Sequence, residues 1–206
     1  MRVGVVPDQP ADRVAVFIDY QNVQGSARRC FHPAHAPGHA GQVDPLELAK
    51  LLVSRRNRPS ELTDVRVYRG RPSPDRQATA AAANDRQADR WTRDSLVTVI
   101  RRPLNYRTDN GVLVVSEKGV DVALAVDLVR LAIIRSYDVA ILVSRDTDLM
   151  PALETVRDLR AAWVEVAGWH SASRLRYTDG AAGPWCHLLD ETDYQAVADH
   201  RNYTRP

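Results

Sequence analysis

The chain has 206 residues, of which 44% are hydrophobic and 26% are charged, and its formal net charge at pH 7 is +2. This length suits one domain with at most a short appendage, and no run approaches the ~20 apolar residues that a membrane-crossing helix requires. Cys30 and Cys186 are too few for a disulfide framework or a Cys-based zinc site, and Pro7, Asp8 and Pro10 interrupt the only apolar stretch that could begin a secretion signal, so we expect a cytoplasmic protein.

The first half of the chain alternates short apolar runs with helix-forming segments. Residues 13–18, RVAVFI, predict a buried parallel strand. Residues 26–43 are rich in Gly, Pro, Ala and His without periodicity and predict an exposed loop. A helix is predicted over 44–55, because Asp44 is a good N-cap and Pro45 suits the first helical position. Further elements are a strand at 63–70, a helix at 73–94 and a strand at 96–103.

The second half continues the alternation. Residues 111–117, GVLVVSE, predict either a hairpin arm or an extended approach to the next helix. The elements after it are a helix at 119–134, a strand at 138–144, a helix at 148–160, a strand at 161–167, and an edge strand and helix in the tail. This order predicts an α/β fold with a mainly parallel sheet covered on both faces. The glycine-rich loops of the common nucleotide-binding folds do not occur in the sequence.

Acidic residues follow two of the predicted strands. Asp19 comes directly after residues 13–18, and Asp146 follows the strand at 138–143. Asp121 lies in the first turn of the helix that precedes this second strand, so its position falls at the same edge of a parallel sheet. The sequence therefore predicts that Asp19, Asp121 and Asp146 converge on one pocket.

Each acid also has an ordinary structural explanation. Asp121 complements the dipole of its helix, Asp148 is a plausible N-cap of the helix at 148–160, and Asp19 begins a turn. Taken together, clustered carboxylates repel one another unless cations neutralise them. Oxygen ligands without an accompanying Cys or His suit Mg²⁺ or Mn²⁺.

Positive charge is concentrated in residues 66–107. This segment holds ten arginines and four aspartates, a local charge of +6. The arginines are Arg66, Arg69, Arg71, Arg76, Arg86, Arg90, Arg93, Arg101, Arg102 and Arg107. Either they form an ordinary solvated surface, or they bind the phosphates of a nucleic acid, with Arg101 and Arg102 as the candidates we would test.

Three motifs, VFIDYQN at 16–22, KGVDVALAVD at 118–127 and SRDTDLMPAL at 144–153, together resemble the signatures of the NYN-domain group of PIN-like nucleases. The resemblance spans roughly residues 13–167. It implies a Rossmann-like three-layer α/β/α fold with a mainly parallel central sheet and divalent-metal-dependent cleavage of RNA. It further implies catalytic, metal-binding roles for Asp19, Asp121 and Asp146. We place the nuclease domain at 13–190 and a C-terminal helix or tail at 191–206.

The resemblance also assigns residues around these acids. Asn22 lies beside the first acid and Ser144 beside the third, both as substrate-binding candidates, and Asp148 is a fourth candidate metal ligand. Asp127 is some 120° around an ideal helix from Asp121, which favours a supporting role behind the metal ligands. Two basic residues, Lys118 and Arg145, are candidates for contacting the substrate phosphate. An ordinary solvated position explains Lys118 equally well, and the charge of Arg145 could instead weaken metal binding.

Other interpretations stay open. The same fold could serve as a non-catalytic RNA-binding or regulatory module, and a homodimer is compatible with the sequence. A metal-dependent phosphatase with Asp19 as nucleophile is less favoured, because Gln21 stands where such enzymes carry a second acid. His32, His35 and His39 could bind a softer metal, but an exposed loop explains them better.

Overall fold

The structure, a computed structural model, describes residues 10–170 and 175–205. Its strands are β1 (Asp12–Asp19), β2 (Ser60–Arg71), β3 (Val97–Pro103), β4 (Asn105–Asp109), β5 (Val112–Ser116), β6 (Val139–Val143), β7 (Trp163–Trp169) and β8 (Trp185–Leu189). Its helices are α1 (Tyr20–Phe31), α2 (Pro45–Ser54), α3 (Ala78–Trp91), α4 (Val120–Ile133), α5 (Met150–Asp158) and α6 (Glu191–Val197). None of these helices combines the length and apolar character needed to cross a membrane.

Six of the strands form one parallel sheet in the order β3-β2-β1-β6-β7-β8. From β1 the chain adds β2 and β3 on one side, and it then returns to add β6, β7 and β8 on the other side of β1. The direction of winding therefore changes between the two central strands, β1 and β6. In doubly wound sheets the crevice at this switch point, at the carboxyl ends of the strands, is the usual place for a functional site.

Helices cover both faces of the sheet. Side chains of β1 alternate, so that Val16 and Ile18 pack in the apolar layer of α1, α2, α3 and α6, whereas Ala15 and Phe17 pack in that of α4 and α5. Both layers are made almost entirely of buried aliphatic and aromatic side chains. The predicted three-layer α/β/α architecture is confirmed.

The predicted loop at 26–43 is wrong for its first part, because residues 26–31 are the last turns of α1. Asp19 caps this helix by accepting a hydrogen bond from the backbone N–H of Asn22. Ser26 and Ala27 are buried against the core. Packing of this face outweighs the weak helix propensity of Gly25 and Ser26.

The open choice for residues 111–117 is resolved in favour of a hairpin arm. Strand β5 pairs antiparallel with β4, a strand that was not predicted from the sequence. The two strands are joined by Asn110 and Gly111, which have positive φ values of 48° and 79°. Asn-Gly is the preferred pair for this kind of tight turn, so the signal for the hairpin was present in the sequence.

The tail contributes the predicted strand and helix, observed as β8 and α6. Strand β8 extends the sheet parallel to β7. Asp190 and Asp193 form a reciprocal capping box at the start of α6. Tyr194 packs on Phe31 and Trp169, with ring centroids 5.0 and 5.7 Å away. The limits 13–190 and 191–206 for domain and tail remain a prediction.

Candidate active site

Asp19 and Ser144 lie side by side at the switch point of the sheet. Ile18 of β1 is in register with Val143 of β6, so the residues that follow them are neighbours. Ser144 donates a hydrogen bond from Oγ to Oδ2 of Asp19 at 2.9 Å. The backbone N–H of Asn22 donates to Oδ1 at 3.2 Å. Asp19, only 4% exposed, is therefore held through both carboxylate oxygens.

Asp146 is fixed by the same short segment. Its backbone N–H donates to Ser144 Oγ at 3.1 Å, and its Oδ1 accepts from the backbone N–H of Asp148 at 2.9 Å. Asp146 thereby caps a 3-10 turn, Thr147–Leu149, that precedes α5. The prediction that Asp148 is the N-cap of the following helix is wrong, because this extra turn moves the capping role to Asp146 and leaves Asp148 exposed.

Asp121 is half-buried in the first turn of α4. Burial raises the pKa of its carboxyl group, and the negative charges of Asp146 and Asp148 raise it further. These three carboxylates are thus near enough to repel one another, although they come from two separate segments of the chain.

Glu117, which was not among the residues predicted from the sequence, joins this group from the end of the hairpin. Its Oε1 accepts a hydrogen bond from the backbone N–H of Gly70 at 2.5 Å, at the carboxyl end of β2. Burial raises the pKa of Glu117, the Gly70 hydrogen bond opposes this, and the charge of Asp121 adds to it. A signal existed in the sequence, since Glu117 directly precedes the motif that contains Asp121.

Asp19 interacts through its charge with two of these acids, Asp121 and Glu117, and Asp121 in turn interacts with Asp146 and Asp148. Burial raises the pKa of Asp19 to about 6 against the hydrogen bonds from Asn22 and Ser144, and the charges of Asp121 and Glu117 contribute to the increase. We call Asp19, Glu117, Asp121, Asp146 and Asp148 the acid cluster. Repulsion of this kind is relieved when a cation binds.

The acid cluster does not close around a common point. Within residues 10–170 and 175–205, no three His, Cys, Asp or Glu side chains are arranged so that they could hold a metal ion. The carboxylates interact through their charges, and the described hydrogen bonds leave lone pairs on the oxygens of Asp19 and Asp146 for further ligands.

Comparison with known proteins identifies the family of the chain. The family model described as NYN domain matches residues 13–179. The chain belongs to the NYN domain family. This is a PIN-like ribonuclease family, and the match supports a nuclease-like, RNA-related function at a coarse level.

A solved structure gives the same fold. The crystal structure of a protein of unknown function from Vibrio parahaemolyticus matches this NYN domain with a TM-score of 0.55 and 20% sequence identity, covering 85% of this chain and 93% of that one. At this identity the similarity concerns the fold alone. No curated protein matches the chain.

The supporting role of Asp127 in this NYN domain stays a prediction, and its described hydrogen bonds lead away from the acid cluster. Asp127 accepts hydrogen bonds from Arg66 at 3.0 Å, Tyr68 Oη at 2.9 Å and Arg130 at 3.2 Å. Among the described hydrogen bonds, none joins Asp127 to the acid cluster. The carboxylate of Asp127 instead neutralises Arg66 beneath α4. This fits its place on α4, because Asp127 lies on a different face of the helix from Asp121.

The predicted RNA-binding arginines differ in their surroundings. Arg101 pairs with Asp85 at 2.5 Å, and the guanidinium groups of Arg71 and Arg101 hold the pKa of Asp85 at about 2. Arg102 is exposed, and its Nη2 lies 3.8 Å from the position that a Cβ on Gly119 would occupy. Arg102 is therefore at the loop that leads into Asp121, whereas Arg101 is occupied by an internal partner.

The remaining candidates lie next to the acid cluster in the sequence. Lys118 is exposed just before α4, and Arg145 is partly buried between Ser144 and Asp146. Of the three loop histidines, His32 lies 2.8 Å from Tyr194 Oη through Nε2, which is a packing contact with α6.

Proposed function

We propose that this NYN domain is a divalent-metal-dependent ribonuclease that hydrolyses RNA phosphodiester bonds. The observation that carries the proposal is that Asp19, Glu117 and Asp121 lie together at the switch point, where burial raises the pKa of each and neighbouring negative charges add to the increase, in a chain of a PIN-like ribonuclease family. Burying negative charges side by side lowers the stability of the folded protein, and a bound cation offsets this loss by neutralising the charges.

Asp19, Asp121 and Asp146 would hold Mg²⁺ or Mn²⁺, with Asp148 and Glu117 at the margin. The donors are all carboxylate oxygens, which both cations favour, and water and substrate oxygens would complete the coordination. A cation bound there would lower the pKa of an attacking water and stabilise charge on the phosphate in an in-line displacement.

The protein's own groups prepare the site. Ser144 and the backbone of Asn22 hold Asp19 in one orientation, so that little reorganisation is needed when substrate arrives. Arg102 would bind the RNA backbone beside the cluster, with Lys118 and Arg145 as further phosphate contacts. Arg101 would contribute mainly to the positive potential, because Asp85 already binds it.

We also propose a cytoplasmic location. A homodimer remains a prediction, and the exposed side chains of Val122, Val126 and Ile133 on α4 are where it would be examined.

The test compares cleavage of a mixed-structure RNA and a single-stranded DNA in Mn²⁺, Mg²⁺ or EDTA. Wild type should cleave RNA only with metal. Asp146→Asn should lower the rate by orders of magnitude at an unchanged melting temperature, because Asn is also a good cap for the 3-10 turn. Asp148→Asn removes a charge from the same turn but at the margin of the site, so it should lower the rate much less than Asp146→Asn. RNA binding without metal-dependent cleavage would contradict the proposal and favour a non-catalytic RNA-binding module.

A further inference from the structure

A cavity lies at the opposite edge of the sheet from the acid cluster. Its volume is about 1050 Å³, and its lining includes the first residues of β1, β6, β7 and β8, namely Asp12, Val139, Trp163 and Trp185. The intervening strand β6 has five residues, which separates the two edges by roughly 17 Å at ~3.3 Å per residue. A ligand in this cavity would therefore not touch the acid cluster.

Two tryptophans form its aromatic wall. Trp163 and Trp185 are 65% and 71% exposed, whereas Trp91 and Trp169 are buried. Strand alternation places Trp163 on the same face as Glu165, and Glu165 is in register with Trp185. The two exposed indoles thus lie near each other on adjacent strands. Two exposed tryptophans on one cavity are unusual for a protein surface and are typical of a binding site.

Arginines surround the aromatic wall. Arg55, Arg56, Arg58, Arg157 and Arg160 line the cavity, against the acids Asp12, Asp138 and Glu165. Arg58 is half-exposed and only 3.7 Å from its acidic neighbour Asp12. Arg160 is exposed, and no ion pair involves it among the described residues. The cavity therefore presents one guanidinium group without an ion pair among the described residues, that of Arg160, and a second, that of Arg58, which shares Asp12 with Arg56.

A buried polar network forms part of the lining. Arg56 binds Glu165 at 3.0 Å and Asp12 at 3.1 Å, and His187 Nε2 lies 2.7 Å from the second oxygen of Glu165. Burial opposes ionisation of Glu165, but its contacts with His187 and Arg56 keep its pKa below the usual value. These charges are mutually satisfied, so the network fixes the lining in one arrangement.

We propose that this cavity binds a nucleotide, with the base stacked on Trp163 or Trp185 and the phosphate held by Arg58 and Arg160. A nucleotide joins a flat aromatic group to an anion, which matches the exposed indoles, the unpaired Arg160 and the half-exposed Arg58. The volume is at the upper end of the range for small-molecule sites. The ligand is either a free mononucleotide or one nucleotide of a single-stranded RNA. This site is separate from the proposed nuclease function and does not depend on it.

The test measures binding to the full chain in EDTA, so that neither cleavage nor metal contributes. Adenosine monophosphate, inorganic phosphate and a short oligoadenylate are titrated, with tryptophan fluorescence and calorimetry as readouts. Adenosine monophosphate should quench fluorescence saturably, because both exposed tryptophans line the cavity, and inorganic phosphate should not. Tighter binding of the oligoadenylate, with a stronger salt dependence, would identify RNA as the source of the nucleotide, whereas equal affinity would identify a free mononucleotide.

Variants decide whether the cavity is responsible. The double variant Trp163→Ala/Trp185→Ala should weaken adenosine monophosphate binding by about 5-fold or more in calorimetry, as expected for loss of base stacking. Arg58→Gln/Arg160→Gln should also weaken it. Arg29→Gln is the matched control, an exposed arginine outside the cavity that should leave affinity unchanged. Absence of saturable nucleotide binding to wild type, or equal affinity in the tryptophan double variant, would overturn the proposal.

Discussion

Ser144 Oγ donates to Asp19 Oδ2 at 2.9 Å and also accepts from the backbone N–H of Asp146 at 3.1 Å. One buried hydroxyl therefore joins the ends of the two central strands and orients two acids of the cluster. Its position follows from the register of β1 with β6, which makes Asp19 and Ser144 neighbours.

Ser144→Ala should reduce metal-dependent RNA cleavage by about 10–100-fold, the range seen when a group that orients metal ligands is removed. The loss of a donor to a buried carboxylate should also cost about 1–3 kcal/mol of stability. Ser26→Ala is the matched control, because Ser26 is buried but donates only to backbone carbonyls within α1. Cleavage rates and melting temperatures of both variants decide the matter; equal rates would mean that Ser144 has no positioning role.

Asp19→Asn should stabilise the metal-free protein above about pH 6. The pKa of Asp19 is raised from 3.8 to about 6 in the folded state. Between these values the folded chain keeps a proton that the unfolded chain loses, so the wild type loses stability as the pH rises. The loss is on the order of 2–3 kcal/mol, since each pKa unit corresponds to ~1.4 kcal/mol. Asn carries no such charge and escapes this loss.

Calorimetric unfolding in EDTA from about pH 4 to above about pH 6 tests whether Asp19→Asn becomes more stable than wild type as the pH rises. The two proteins should differ least at the acidic end, and Asp19→Asn should be the more stable at the alkaline end. Added Mg²⁺ should stabilise wild type more than the variant, because the cation relieves the repulsion that Asn has already removed. A variant that is less stable than wild type throughout the range would show that repulsion at Asp19 is not important.

The proximity of Asp19 and Ser144 could be predicted from the sequence because it depends on simple rules. Two apolar runs, residues 13–18 and 138–143, are each followed directly by a polar residue. Because the carboxyl ends of parallel strands lie at one edge of a sheet, these polar residues are expected to be close together. The order of apolar and polar residues along the chain was sufficient to identify both strands. The predicted helix N-cap at Asp44 is also confirmed, because a cap likewise depends only on residues close in sequence.

Features that depend on packing could not be predicted in this way. Residues 26–31 become helical because Ala27 is buried, which no local propensity reveals. The cap at Asp146 depends on a 3-10 turn of three residues that the helical pattern of α5 does not show. Glu117 was indicated only by its position directly before the motif of Asp121, and the hydrogen bond that it accepts from Gly70 N–H depends on how the hairpin packs against β2.

Charge reversal at Arg102 should weaken RNA binding more specifically than charge reversal at Arg101. Arg102 is exposed beside Gly119, so Arg102→Glu should lower affinity and reduce the slope of log K against log salt by about 0.7–0.9 per lost phosphate contact. Arg101→Glu should instead destabilise the fold as well, because it places a second negative charge against Asp85. Binding measured in EDTA over a salt series, with melting temperatures alongside, separates the two. An unchanged slope for Arg102→Glu would mean that this arginine is only solvated.

Glu117→Gln asks whether the residue at the hairpin end contributes its charge or only its hydrogen bond. Gln retains an oxygen that can accept from Gly70 N–H, so stability should be kept while the negative charge next to Asp121 is lost. If the charge helps to attract a cation, more Mn²⁺ will be needed for half-maximal cleavage. Glu117→Ala removes the acceptor too and should cost about 1–3 kcal/mol in addition.

Glu154→Gln is the matched control for Glu117→Gln, because Oε1 of Glu154 also accepts from a backbone N–H, that of Thr178 at 2.6 Å, outside the acid cluster. It should change neither the Mn²⁺ requirement nor the maximal rate. The measurement is a Mn²⁺ titration of RNA cleavage for wild type, Glu117→Gln, Glu117→Ala and Glu154→Gln, with unfolding followed in parallel. A Mn²⁺ requirement for Glu117→Gln equal to that of Glu154→Gln would reduce Glu117 to a structural acceptor for β2, and the cation would then have to be held by Asp19, Asp121 and Asp146 without it.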